Sequence, residues 1–316
     1  MVFRQVNNKS KKVFHLRESQ ADNLPFVSIV VCTYNREDFL KKCLYSIFSM
    51  DYPRDRYEVI VIDGGSTDGT EKLSEEFPQI RFIVESKYGL AYARNMGAKL
   101  AVGSIVAYTD DDCVVDKRWL RHLVKGFQLS DSIIGVGGPV LPLHSKTVPK
   151  KILVNAALGL YNKGEKMKIV RGIITSNSAF KREIFKYFKF DETLKVTRRG
   201  KLILCGEDVD FCRRLTKQGY KLLYTPYAKV YHQLDRKRLN VWYIVRHAIH
   251  NGVSTSIYYF KVKKSRLWMI RLALHRVANS FLAIFSNRSF AACYEIIASL
   301  STLLVCITGF DRIIRR

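Results

Sequence analysis

The chain lacks several features that define whole classes of protein. It has no C-x-x-C pair, no internal repeat and no low-complexity tract. Its seven cysteines are scattered, and an odd, dispersed set in 316 residues argues against a disulfide framework and for a reducing compartment. Helix-turn-helix, zinc-finger and RNA-binding signatures are missing too, so no nucleic-acid partner is expected. No apolar run reaches the roughly 20 residues that span a bilayer. The uncharged stretch IIASLSTLLVCITGF (296–310) is 15 residues long. That leaves a re-entrant or interfacial helix, a buried core helix or a short span open. If it spans, Arg312, Arg315 and Arg316 favour a cytoplasmic C-terminus. Residues 1–25 lack the apolar segment of a secretory signal and read as a flexible basic arm.

Acidic residues are scarce as well. Against 53 Lys+Arg stand 28 Asp+Glu, a formal charge of +25. Such an excess points to a polyanionic partner: nucleic acid, an anionic membrane surface or a phosphorylated substrate. The charge is uneven. Residues 236–316 hold 14 Lys+Arg but only Glu295 and Asp311 as acids, a net +12 over 81 residues. Hydrophobic residues make up 47 %, enough for a folded core, and the length fits one large domain or two smaller ones.

From Phe26 the sequence alternates strand and helix patterns. FVSIVVCTY, YEVIVID, IRFIVES and SIVAYTD are apolar, β-branched strands. REDFLKKCLYSIFS, TEKLSEEF, LAYARNMGAKLA and KRWLRHLVKGF carry helical spacing between or after them. This order predicts an α/β fold with a mostly parallel sheet, whose ligands bind at the carboxyl ends of the strands. Asp63 and Asp110 both stand at such ends. After about residue 135 the regularity fades. RGIITSNSAFKREIF suggests a strand, a polar turn and a helix, and CGEDVDFCRRLTKQG a helix from Glu207 that stops at Gly219. SRLWMIRLALHRVANSFLAIF is apolar with Arg266, Arg271 and Arg276 interspersed. It fits an amphipathic helix on anionic lipid, and equally a helix packed on the preceding domain.

Three acidic stretches carry candidate chemistry. TDDD follows a buried strand, where three adjacent carboxylates repel one another and are costly to desolvate. A D-x-D pair there, Asp110 and Asp112, can hold a hard divalent cation such as Mg2+ or Mn2+. The same residues also fit a solvated turn that caps the next helix. VIDGGSTDGT places Asp63 beside Gly64, Gly65 and Ser66, where backbone can approach a ligand closely; a plain strand-turn-helix link capped by Thr67 or Asp68 explains it as well. GEDVDF opens a helix with Glu207 and Asp208, either as ordinary dipole partners or as a general base.

Taken in order, TYNR (33–36), DGGSTDGT (63–70), GLAYARNMGAK (89–99), YTDDD (108–112), NSAFKREIF (177–185), FDETL (190–194), GEDVDFCRRLTKQGY (206–220) and PYAKVYH (226–232) resemble glycosyltransferase family 2 over about residues 26–235. The resemblance implies a GT-A fold, a Rossmann-like sheet flanked by helices, with 236–316 as a helical basic extension. It implies inverting transfer of a sugar from a nucleotide-sugar, with UDP the expected nucleotide, to an acceptor hydroxyl. The basic, apolar C-terminal third suggests a membrane surface and so a lipid-linked or cell-surface glycan as the acceptor. By the same resemblance Thr33, Tyr34, Asp63, Ser66, Arg94, Asp110 and Asp111 line the donor pocket, and Asp110, Asp112 and His232 are metal candidates for Mg2+ or Mn2+. Asp208 matches the base. His232 also fits a structural role, and Gly64 departs from the acidic residue or Asn that many relatives carry. A nucleotidyltransferase of similar fold is the rival enzyme, but CTYNRED after the first strand lacks the basic Gly-rich phosphate loop it needs. The expected location is the cytoplasmic face of the membrane.

Overall fold

A computed structural model describes residues 24–86, 89–143, 157–193, 206–261, 265–284 and 289–308. The expected N-terminal arm, apart from its last two residues, and the terminal arginines lie outside them. In chain order the N-terminal half runs β1 (Val27–Thr33), α1 (Glu37–Phe48), β2 (Tyr57–Asp63), α2 (Leu73–Glu76), β3 (Ile80–Val84), α3 (Leu90–Leu100), β4 (Ile105–Asp110), β5 (Cys113–Val115) and α4 (Trp119–Phe127). Then come β6 (Ile133–Gly137), β7 (Val140–Pro142), β8 (Lys168–Val170), β9 (Asn177–Lys181), α5 (Glu207–Lys217), β10 (Lys221–Tyr224) and β11 (Val230–His232).

The period of two along the strands explains the layering. Val27, Ile29 and Val31 of β1 pack with Leu40, Leu44 and Ile47 of α1. Val30, between them, packs on the other face with Ala91 and Ala98 of α3. Helices therefore cover both faces, which is why the strands read as continuous apolar runs. Gly97 lets α3 come that close: a Cβ there would lie 2.3 Å from Val30 Cγ1.

The main sheet has the order β3-β2-β1-β4-β9-β6-β10-β8. Its first four strands are parallel, as the alternation predicts. Beyond β4 the sheet is mixed: β9 runs antiparallel to both neighbours, and β8 antiparallel to β10. The strand expected over RGIIT lies instead over NSAFK. Asn177 makes a polar start to that strand possible, because its buried amide donates to Pro139 O and Ala228 O and accepts from Trp119 Nε1 at 2.7–2.8 Å. A second sheet, β5-β11-β7, sets His232 directly opposite Cys113. Helix α5 is bracketed by Gly206 at φ +116° and Gly219 at φ +87°, so both of its ends use conformations that favour glycine.

A short turn at Arg236–Leu239 leads into α6 (Val241–Lys261), α7 (Arg266–Ile284) and α8 (Ser289–Thr308). Helix α8 packs against both others. At the α6–α8 crossing a Cβ on Gly252 would fall 2.1 Å from Ala298 O, and Thr302 Oγ1 donates to Gly252 O at 3.1 Å. Tyr258 of α6 accepts a 2.7 Å hydrogen bond from Arg213 of α5, tying the helices to the sheet domain. Among the described residues no helix is long and apolar enough to cross a membrane.

Candidate active site

The site forms where β1, β2 and β4 end. Asp63 lies opposite Thr33, and Asp110 opposite Cys32, so β1 separates two carboxylates that share one sheet edge. After β1 the chain turns through Asn35 at φ +50°. Asn35 N–H donates to Ser66 Oγ at 2.8 Å, and Asn35 Oδ1 accepts from Thr67 N–H at 2.7 Å, locking the two loops together. Asp63 is 2 % exposed and accepts from Gly65 N–H, Ser66 N–H and the Ser66 hydroxyl. It builds its own turn, and Gly65 at φ +79° completes that turn.

The acidic run has its positive partners within the chain. Asp111 accepts from Thr33 Oγ1 and Arg36 Nη1, both at 2.9 Å. Asp112 is met by Arg36 Nη1 at 2.7 Å, His232 Nε2 at 3.0 Å and Arg238 Nη2 at 3.0 Å. Both carboxylates are 4 % exposed, yet they titrate in opposite directions. Burial raises Asp111 to about 6, with Arg36 opposing and Asp112 adding. Burial pushes on Asp112 as well, but the His232 hydrogen bond and the charges of His232, Arg238 and Arg36 hold it well below the usual carboxylate range. Asp112 is thus a fixed anion aimed at cations.

A divalent cation fits these residues. The ligand atoms of Asp112, His232 and Cys113 lie within 4.8 Å of one another, and His232 Nδ1 is buried with no partner. A carboxylate oxygen and an imidazole nitrogen suit Mn2+ and tolerate Mg2+. The Cys113 thiol is held protonated by burial, so it adds an apolar wall rather than a thiolate.

On the other side of the site, Arg94 projects from α3 at 4 % exposure. It donates to Glu207 Oε1, and at 3.2 Å to Asp110 Oδ1, bridging β4 to the first turn of α5. Asp208, next to Glu207, is partly open. Desolvation and the Glu207 charge lift its carboxyl to about 6, with Arg94 opposing. A carboxylate poised near neutrality at a site mouth suits proton abstraction.

The glycosyltransferase family 2 model matches residues 28–188, just over half of the chain. The chain belongs to glycosyltransferase family 2. Glycosyltransferase AglE of Haloferax volcanii is 30 % identical over 206 residues, 64 % of this chain and 64 % of that protein. The match thus spans just under two thirds of that relative's length. The glucosyl-dolichyl phosphate glucuronosyltransferase of the same organism is 26 % identical over 242 residues, 73 % of this chain and 76 % of that protein. Among solved structures, mannosyltransferase PcManGT from Pyrobaculum calidifontis in complex with GDP-Man and Mn2+ superposes with a TM-score of 0.59 at 19 % identity, over 88 % of this chain and 87 % of the other. The architecture is that of GT-A glycosyltransferases, and the family match decides against the nucleotidyltransferase reading.

Of the glycosyltransferase residues expected from sequence, the structure brings Thr33, Asp111, Asp112 and His232 into one hydrogen-bonded cluster. Asp110 stands apart, paired with Arg94. Tyr34 is 42 % exposed at the rim, and Ser66 is committed to the Asp63 turn. Sequence reading missed two residues, Arg36 and Arg238, and named Glu207 only as a helix-opening acid or base, not as the partner of Arg94. Arg36 lies inside TYNR and Glu207 inside GEDVDF, so their motifs were visible without their roles. Arg238 lies in the basic stretch RKR, whose direction only the fold reveals.

Proposed function

We propose that this glycosyltransferase moves a sugar, with inversion at the anomeric carbon, from a nucleoside-diphosphate sugar to an acceptor hydroxyl. The observation that carries this reading is the geometry around Asp112 and Asp208. Asp112 is met by Arg36, His232 and Arg238 at 2.7–3.0 Å. Asp208 sits in the first turn of α5, which Arg94 ties to Asp110 through Glu207, with its carboxyl raised to about 6 by burial and by Glu207. Asp208 accepts the acceptor's hydroxyl proton. The freed oxygen bonds the anomeric carbon on the face opposite the diphosphate, and the carbon–oxygen bond to the diphosphate breaks. Arg94 and Glu207 hold the first turn of α5, and so Asp208, against β4. Asp112 and His232 would hold Mg2+ or Mn2+, while Asp110 is paired with Arg94, and Thr33, Tyr34 and the Asp63–Ser66 turn would line the nucleotide side. When bound, the cation neutralises charge developing on the leaving diphosphate.

UDP is the first nucleotide to test. GDP is the alternative, because the Pyrobaculum structure holds GDP-mannose. A lipid-linked acceptor is supported by the name of the glucuronosyltransferase relative, which acts on a dolichyl phosphate sugar. The C-terminal helices support it too. Leu267 (70 % exposed) shares α7 with exposed Arg266, Arg271 and Arg276, and Ile307 (72 %) is exposed on α8, a mixture suited to an anionic membrane surface. The location that follows is the cytoplasmic side of a membrane, bound at its surface. The test is radiolabelled transfer from UDP- and GDP-sugars to polyprenyl-phosphate glycans, with and without Mn2+. Product that requires the cation and Asp208 supports the proposal. Transfer that survives both chelation and Asp208→Asn overturns it.

A further inference from the structure

Helix α6 starts with one face covered and one face bare. Ile244 and Ala248 are buried and pack with Ala157, Tyr294 and Ala298. Trp242, Arg246 and Ile249, spaced i, i+4 and i+7, lie on the other side of the helix, and all three are exposed. Trp242 is 78 % exposed, and Val241 beside it is exposed as well. Asn240 caps this end: its Oδ1 accepts from Trp242 N–H at 2.8 Å, which fixes where the first turn begins. The bare face is confined to this half of the helix. From His250 to Tyr259 no residue is exposed.

That half of α6 flanks the site. Arg238, four residues before Trp242, meets Asp112 at 3.0 Å. Ala157 packs with Ile244, and two residues on, a Cβ at Gly159 would lie 3.4 Å from His232 Cε1, so one short segment touches both the helix and the site. The chemistry of the bare face suits one kind of partner. An indole joins a broad apolar ring to a single N–H donor and settles at the boundary between hydrocarbon and headgroups. Arg246 stands one turn away. No acidic residue occurs between Asp235 and Glu295, so nothing in this stretch of sequence repels lipid phosphate. Helix α8 differs: Leu300, Leu304 and Ile307 are exposed on it, but its one charged residue is Glu295, so it offers a headgroup no cation.

We propose that Trp242, Arg246 and Ile249 form the surface by which the site meets an anionic membrane. The indole and Ile249 enter the headgroup layer, and Arg246 pairs with lipid phosphate. The inference rests on the membrane-surface reading above and adds the place of contact. It sets the site beside the lipid surface, where the hydroxyl of a lipid-linked acceptor arrives.

The three tryptophans make the contact readable in the full chain, since Trp119 is fully buried and Trp268 is 36 % exposed, less than half of Trp242. Emission is recorded for wild type, Trp242→Phe and Trp268→Phe with vesicles of phosphatidylcholine alone and of phosphatidylcholine mixed with phosphatidylglycerol, with plain or brominated acyl chains. Brominated anionic vesicles quench wild type, Trp242→Phe loses most of that quenching, and Trp268→Phe keeps it. Trp242→Ala combined with Arg246→Glu lowers affinity for the anionic vesicles about tenfold or more, and transfer to a polyprenyl-linked acceptor in them falls in step. Nucleotide binding and melting temperature stay near wild type. If the double variant melts early, Trp242→Ser alone replaces it and is read the same way. Quenching that persists in Trp242→Phe, or vesicle binding that the double variant keeps, overturns the proposal and leaves the membrane reading standing. A wild type that ignores anionic vesicles overturns the membrane reading itself.

Discussion

Asp112 and Asp208 belong to the same site and have opposite environments. Asp112 ends the β4 loop under His232, Arg36 and Arg238, and stays ionised far into acid. Asp208 opens α5 beside Glu207, with Arg94 spent on Glu207 and Asp110, and its carboxyl rises to about 6. The difference is one of partners, since burial pushes both in the same direction. In the proposed function the carboxylate surrounded by cations is the ligand, and the one crowded by another acid is the base. One chain thus holds one aspartate below and another above the usual carboxylate range by what stands next to each.

The comparison breaks most sharply at Asp208. Asp208→Asn removes the proton acceptor and lowers transfer by about 10²–10⁴-fold, while donor binding persists; single-turnover rates beside nucleotide titration check this. Asp112→Ala has the next largest effect. It leaves Arg36 and Arg238 without their shared carboxylate and abolishes Mn2+-dependent nucleotide binding, which a melting-temperature panel with UDP and GDP, with and without Mn2+, reads directly.

The pH dependence sharpens the contrast. Rate at low substrate rises with pH through about 6 as Asp208 loses its proton. Stability moves the other way. The folded chain holds protons on Asp208 and Asp111 up to about 6, whereas the unfolded carboxyls release them near 3.8, so these two groups lower stability as pH rises between those values. Asp112 is the reverse: its contribution is complete above the unfolded value and fades only as pH falls towards its depressed folded one. Melting temperature against pH in Asp208→Asn therefore loses part of the decline that wild type shows between pH 4 and 6.

Smaller effects are expected away from the site. Gly252→Val forces α6 off Ala298 and costs about 1–3 kcal/mol, read by denaturant titration. Leu267→Glu and Ile307→Glu, on exposed faces, leave the melting temperature near wild type and weaken cosedimentation with anionic vesicles. Unchanged vesicle binding in the double variant removes the membrane role assigned to these helices.

The parallel half of the sheet was legible because β1, β2 and β4 are buried on both faces and spell that out as unbroken apolar runs. The mixed half was not. β9 begins with Asn177 and Ser178, polar residues that enter the core only because distant carbonyls and an indole satisfy the amide. The acidic positions were legible as residues and illegible as a network. Nothing local to TDDD shows that its counter-ions come from residues 36, 232 and 238, or that Asp110 turns to Arg94 instead. Asp63 shows the same limit: its motif suggests a ligand contact, while the fold spends its carboxylate on the turn.

The measurement that tests the division of labour most directly is calorimetric titration of UDP and GDP, with and without Mn2+, into wild type, Asp112→Ala and Asp208→Asn. The account predicts cation-dependent binding of one nucleotide to wild type, the same binding to Asp208→Asn, and none to Asp112→Ala. Binding that Asp112→Ala keeps and a folded Asp208→Asn loses would reverse the two roles and contradict it.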